Sequence, residues 1–289
     1  MEYVGLSIYG KRFRIIGFCC IHFGEGCGHD SSLFSEFLSD VEHTPNALVL
    51  GLGDYIDWTR TTHRGPLRAI GGDDEKFIEE LDAMVSRSII EPLVWKIRKQ
   101  CPSFAKKCIG LVEGNHYHKF FNGMTSTQKI CELLGVRYLG QSAWVRIACA
   151  RSLEKKRKCY GATHNLNIAL NHSVSSSGAL PASLNQAQGR IAGLRDVDIF
   201  LTGNDHQLGH MVIQQLGCTQ RGEPKMMQKE MVVGKCGSFQ KGYEEGATSN
   251  SYVEKKFLRP SHLGYLAFDA HIHYHTDKPE VWRFDNFNV

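Results

Sequence analysis

Residues 13–57 read FRIIGFCCIHFGEGCGHDSSLFSEFLSDVEHTPNALVLGLGDYID. Residues 13–20 form an apolar extended run, residues 32–41 repeat apolar side chains at helical spacing, and residues 47–52 are again short and apolar. The order is β-α-β. Polar residues cluster where both strands end, and open α/β sheets bind ligands just beyond the carboxyl ends of their strands.

Outward from this unit, a long helix is expected from about residue 74, with Phe77, Leu81, Met84, Val85 and Ile89 on one face and Pro92 kinking or restarting it. A strand at 108–113 follows, then a helix at 127–134 and extended segments at 144–150 and 167–171. Beyond a Ser/Gly loop come another helix and a strand at 196–202. The last third reads as strands at 211–215, 230–233, 265–268 and 281–284. An α/β first half with a β-rich second half predicts a four-layer α/β/β/α sandwich, two facing mixed sheets flanked by helices. No repeat, low-complexity tract or linker interrupts it, so residues 1–289 are expected to form one domain.

With 289 residues, 42% hydrophobic and 22% charged, the chain can bury a substantial core. A formal charge of +4 permits an anionic substrate without requiring one. Nothing approaches the roughly 18 consecutive apolar residues of a membrane span, so no membrane association is expected. The apolar run near the start follows Lys11 and Arg12 and lacks a small-residue cleavage site, which favours a buried strand over an export signal. Ten cysteines (Cys19, Cys20, Cys27, Cys101, Cys108, Cys131, Cys149, Cys159, Cys218, Cys236) show no C-x-x-C pair. Free thiols in a reducing cytoplasm are the expectation.

Five clusters carry the chemistry. In CCIHFG, Cys20 and His22 lie two apart and are expected to project from one face of an extended segment, where both can ligate a metal. GLGDYIDW presents Asp54 and Asp57 at a strand end. VEGNHYH presents Asn115 and His116, ALNHSVSSSG presents His172, and LTGNDHQLGH presents Asn204 and His206. Asp54 has two oxygens and can bridge two cations.

These blocks resemble the calcineurin-like metallophosphoesterase superfamily, whose ordered motifs are D-x-H, G-D-x-x-D, G-N-H, H and G-H-x-H. Here they read Cys20-Ile21-His22, Gly53-Asp54-Tyr55-Ile56-Asp57, Gly114-Asn115-His116, His172 and Gly203-Asn204-Asp205-His206. The resemblance implies one metal held by Cys20, His22, Asp54 and His206, and a second held by Asp54, Asn115, His172 and Asn204. It also implies a metal-activated water as nucleophile, with His116 serving the leaving oxygen and Asp57 fixing the His116 tautomer.

Two positions depart from the family pattern: Cys20 stands where Asp is expected and Asn204 where His is expected. A thiolate keeps the negative charge but is softer, favouring zinc or iron over manganese or magnesium. Asn204 supplies only a neutral oxygen, or acts as a turn residue. Tyr117 and Trp58 replace the Glu and Arg typical of serine/threonine protein phosphatases, which disfavours a phosphoprotein substrate.

The expected function is phosphoester hydrolysis, a phosphodiester in preference to a phosphomonoester, with two divalent ions (Mn, Zn or Fe) and with nucleic acid or a nucleotide as the first substrate class. Arg60, His63, Arg64 and Arg68, directly after the Asp57 block, can steer a phosphate backbone or form a plain surface loop. Two rivals are a one-metal binding protein that keeps the fold, and a thiol-based redox or zinc-storage protein built on Cys19 and Cys20. The alternating His271, His273 and His275, with Asp269 in phase, read as a solvated or sheet-packing face. The Glu154 to Lys158 run reads as a solvated turn.

Overall fold

Two strands open the chain, β1 (Glu2–Tyr9) and β2 (Arg12–Phe18), followed by α1 (Ser31–His43) and β3 (Ala47–Gly51). A computed structural model describes residues 1–9, 12–24, 28–57, 75–150, 164–173, 179–218, 226–243, 252–255, 257, 259–260, 262–273 and 281–288. The basic loop with Arg60, His63, Arg64 and Arg68, the 154–158 run, Cys27, Cys159 and His275 lie outside these residues.

The first helix forms for local reasons. Asp30 caps it, its side chain accepting from Ser32 N at 3.1 Å and Leu33 N at 3.0 Å. Phe34, Phe37, Leu38 and Val41 then recur on one buried stripe. Each contributes about 1.5–3 kcal/mol by leaving water, and Phe37→Ala would cost about 3–5 kcal/mol.

Next come α2 (Glu75–Val85), a π-helical turn (Ser86–Ile90) and α3 (Glu91–Gln100). Helical backbone runs unbroken from α2 through the π turn into α3, with Ile90 and Glu91 keeping helical φ and ψ and Glu91 N bonding Ser86 O, so a wide turn just before Pro92 accommodates its missing N–H. The short α4 (Phe104–Lys107) leads into β4 (Cys108–Leu111), and α5 (Ser126–Leu134) follows, capped by Thr125. The remainder comprises β5 (Ser142–Ala150), β6 (His164–Ser173), α6 (Leu180–Ile191), β7 (Ile199–Gly203), β8 (Leu208–Cys218), β9 (Met226–Cys236), α7 (Tyr252–Lys255), β10 (Leu266–His273) and β11 (Val281–Asn288).

These strands form two mixed sheets, ordered β1-β5-β6-β7-β9-β8 and β11-β10-β2-β3-β4. Ile15, Leu50 and Phe268 of one sheet share an apolar cluster with Val145, Ile168, Leu201 and Val232 of the other, so the sheets face each other. The outer face of the five-stranded sheet, with Ile16, Phe18 and Val49, packs on α1, α3 and α5. The outer face of the six-stranded sheet, with Ala169, Phe200 and Val233, packs on α6. The architecture is the four-layer α/β/β/α sandwich that the element order predicts. Among the described residues no helix is long and apolar enough to cross a membrane.

Two expectations need correction. The N-terminal stretch holds two strands, β1 pairing in parallel with β5 in one sheet and β2 with β3 in the other. Cys20 and His22 are not in extended backbone. Strand β2 ends at Phe18, and the two residues take left-handed φ values of 52° and 48°. They share a site because the chain turns there.

Candidate metal centre

Strands β2, β3 and β4 run in parallel, and so do β6 and β7, so their carboxyl ends gather the five polar blocks at one edge of the sandwich. The segments after β2 and β3 stay zipped together, Cys20 N donating to Gly53 O at 2.9 Å and His22 N to Asp54 O at 3.0 Å. Tyr55 locks the neighbouring turn, its hydroxyl accepting from Gly53 N at 3.0 Å and donating to Val112 O at 2.9 Å. His116 N donates to Asp54 Oδ1 at 2.8 Å, tying the β4 exit to the β3 exit.

Close approach needs glycine at two points. Gly53 has φ 100°, and a Cβ there would lie 2.6 Å from Gly114 Cα and 2.6 Å from His172 Nδ1. A Cβ on Gly114 would overlap Asp54. Left-handed φ also marks Cys20, His22, Asp54, Asn204 and His206, five of the eight non-glycine positions with this geometry among the described residues. Such backbone costs energy and persists where surrounding structure enforces it, typically at functional sites.

Nine sequence-predicted site residues converge here. Cys20, His22 and His206 offer ligand atoms all within 4.8 Å of one another. The His22 and His206 Nε2 atoms face each other at 3.3 Å, and His22 Nε2 lies 4.0 Å from Asp54 Oδ2. On the other side of Asp54, His172 Nε2 approaches Oδ2 at 3.1 Å. One terminal atom of Asn115 lies 2.9 Å from Asp54 Oδ2, 3.3 Å from Asp54 Oδ1, 3.2 Å from Asn204 Oδ1 and 2.9 Å from His172 Nε2. Turned with NH2 inward, that amide donates to the Asp54 and Asn204 oxygens. Turned with oxygen inward, it completes a ring of lone pairs suited to a cation.

Asp57 links the remaining pair. Its Oδ1 lies 3.5 Å from His116 Nδ1 and its Oδ2 lies 3.6 Å from His22 Nδ1. His22, Asp57 and His116 form a second compact donor group. His116 is the more open imidazole, with its side chain 26% exposed against 2% for His22.

The electrostatics follow from burial opposed by pairing. Burial disfavours charge on Asp54, yet His172 and His22 outweigh it and hold the carboxyl well below the usual carboxylate range. Asp57 is lowered in the same way, against burial, by His116 and His22. Burial also opposes protons on His22 and His172, but Asp57 and Cys20 lift the first, and Asp54 the second, to about 9. His206 is driven down to about 3 by burial and by the neighbouring His22 charge. Protons held on His22 and His172 would balance the Asp54 and Asp57 carboxylates, and a divalent cation bound there would take their place.

The donor set fits divalent cations. One side offers sulfur and imidazole, suited to zinc, and the other offers carboxylate and amide oxygens with one imidazole. The Cys20 thiol, pushed up by burial and by Cys19, becomes a good ligand once a cation stabilises its thiolate.

Several supporting residues carried no family signature. Leu52 O accepts from His172 Nδ1, which turns Nε2 into the cluster. Phe239 N and Ser238 Oγ donate to Cys20 O at 3.0 and 3.1 Å, pinning the turn at Cys20. Cys19 points away, its Sγ donating to Gly237 O at 2.9 Å. His164 stands at the opposite end of β6 from His172. In the C-terminal alternation, Asp269 is taken by Arg12 at 2.7 Å and Arg14 at 3.2 Å, and His271 lies 3.8 Å from Asp285. That face packs within the sheet surface.

No protein-family profile matches the chain, and no curated protein does. Among solved structures, Vacuolar Protein Sorting 29 from Cryptosporidium parvum aligns at TM-score 0.33 and 14% identity, over 96% of this chain and 98% of that one. A conserved uncharacterized protein from Streptococcus pneumoniae, described as a predicted phosphoesterase, aligns at TM-score 0.32 and 11% identity, over 95% and 99%. Vps29 complexed with zinc from Entamoeba histolytica aligns at TM-score 0.29 and 12% identity, over 94% and 98%.

Proposed function

We propose that this chain is a metal-dependent phosphoesterase of the calcineurin-like superfamily, folded as one domain over residues 1–289, that hydrolyses a phosphodiester. Nucleic acid or a nucleotide is the first substrate class. The observation that carries this reading is the meeting of five strand exits around Asp54, with lone-pair atoms turned toward one another on both of its sides.

Cys20, His22, Asp54 and His206 would hold one divalent cation, and Asp54, Asn115, His172 and Asn204 a second. Bound there, two such ions would polarise the phosphate oxygens and lower the pKa of an attacking water. The chain's own groups do the rest. His116 stands at the open side with Nδ1 turned to Asp57, so its Nε2 is the atom that delivers a proton to the departing oxygen. Asp57 fixes that tautomer and also braces His22 from behind. The buried Asp54, bonded by His116 N, keeps the leaving-group side in register with the ligands. All eight described cysteines are free, which fits a reducing compartment such as the cytoplasm.

The test is hydrolysis of an aryl phosphodiester by purified protein reconstituted with Zn, Mn or Fe. Turnover that disappears in Asp54→Ala and falls about 10²–10⁴-fold in His116→Ala supports the enzyme. A second reading rests on the asymmetry of the donors, because Asp54 is the one anionic ligand of the oxygen-rich set. A chain that holds one zinc at Cys20, His22 and His206 and turns over no ester would be a binding protein built on this fold.

A further inference from the structure

Lys235 lies on β9 inside an otherwise apolar run and is 0% exposed. Its Nζ sits 2.8 Å from Asp205 Oδ2, and the Asp205 side chain is 4% exposed. Ser183, on α6 and 0% exposed, donates its hydroxyl to the same carboxylate oxygen. Asp205 Oδ1 accepts from Gln207 N at 3.3 Å. One carboxylate therefore binds together a turn, a helix and a strand.

The turn is the one that matters for the metal centre. Asp205 stands between Asn204 and His206, and these hold left-handed φ values of 72° and 57°. Asn and His tolerate this region better than most non-glycine residues, yet it still carries a cost that the surrounding structure offsets. Backbone bonds hold the two ends of the turn, Asp205 N to Gly203 O at 3.0 Å and Gly237 N to Gln207 O at 3.0 Å. The buried ion pair adds a side-chain anchor at its middle, because Lys235 is paired in register with Thr202 of β7, three residues before Asp205. A fully buried charge pair is a poor source of net stability compared with apolar side chains of similar volume. Its presence here calls for a role in geometry.

We propose that Asp205, clamped by Lys235 and Ser183, is the positioning residue that aims Asn204 and His206 at the two cation positions. The inference rests on the metal-centre reading above. Asp205 ligates nothing itself; it fixes the turn from which one donor reaches each side of Asp54. Supporting groups of this kind typically change metal affinity about 10–100-fold when removed.

The experiment compares wild type with the double variant Asp205→Leu/Lys235→Met, which removes both charges and keeps the space filled. Zinc affinity is read by competition with a chromophoric chelator, and folding by the melting temperature of the metal-free chain. The expected result is a melting temperature close to wild type with a zinc dissociation constant raised about 10–100-fold. Ser183→Ala is the milder companion, keeping both charges and the fold, with a smaller weakening of zinc binding. Wild-type zinc affinity in either folded variant overturns the inference while leaving the metal centre intact. A wild-type chain that takes up no zinc, manganese or iron removes the metal centre itself, and the positioning role with it.

Discussion

Replacing Gly53 by Ala probes how tightly the strand exits must approach. The residue has φ 100°, where an L side chain pays at least the roughly 1–2 kcal/mol of a left-handed conformation. The added methyl would sit 2.6 Å from Gly114 Cα and 2.6 Å from His172 Nδ1, and one of those is backbone that cannot rotate away. Overpacking of this kind costs about 1–3 kcal/mol, for a total of about 2–5 kcal/mol against the roughly 5–15 kcal/mol of an ordinary domain. The variant is expected to fold, with its urea midpoint lowered and its m-value unchanged. Relief comes by moving His172, because the Gly114 turn is tied to Asp54 through His116 N. His172 Nε2 then leaves the oxygen-rich side, while Cys20, His22 and His206 stay. Metal analysis of the reconstituted variant should show one zinc retained and the second ion lost, with phosphodiester turnover gone. Unchanged stability together with full metal content would refute the packing argument.

Other perturbations separate the parts of the site. Cys20→Asp exchanges a soft ligand for a hard one and is expected to shift the preference from zinc toward manganese, read from competitive metal uptake. A short iodoacetamide pulse should label Cys218, the one exposed thiol among the described cysteines, well before Cys101 and Cys131, which burial pushes up to about 12; equal labelling of all three, mapped by peptide mass, contradicts the packing around them. Glu42 is held down to about 2 by the Ser103 hydroxyl and amide. A lowered carboxylate stabilises the fold above its unfolded value near 4.5 and loses that effect as pH falls toward 2. Glu42→Gln should therefore lower stability at pH 7 by at most about 1 kcal/mol after solvent screening, and the difference from wild type should vanish by about pH 2.

Much of the candidate site was legible because polar residues at strand exits leave local signatures. Cys20, His22, Asp54, Asn115, His172, Asn204 and His206 each follow an apolar run closely, so the blocks could be read in order. How those side chains come together was not legible. The left-handed backbone at Cys20 is held by Phe239 N and Ser238 Oγ, more than 200 residues away, on the Cys20 carbonyl, and that at His22 is flanked by its N–H bond to Asp54 O. Local alternation instead suggested an extended segment. Strand β1 escaped notice for a related reason: it is an edge strand with several exposed residues, and its partner β5 lies more than 130 residues on. Lys235 did leave a trace, as a lone cation within MVVGKC, but its partner Asp205 could be found only in the folded chain. Asn204 takes a left-handed turn conformation and its Oδ1 lies 3.2 Å from the Asn115 amide, so a place in the turn does not keep its side chain from the cluster.

The central claim is that Asp54 stands between two cation positions built from named side chains. Crystals reconstituted with zinc or manganese and measured across the metal absorption edge test it directly. The expected anomalous map has two peaks flanking the Asp54 carboxylate, one bounded by Cys20, His22 and His206, the other by Asn115, His172 and Asn204. A map with no peak beside Asp54, or with metal only at other residues, would contradict it.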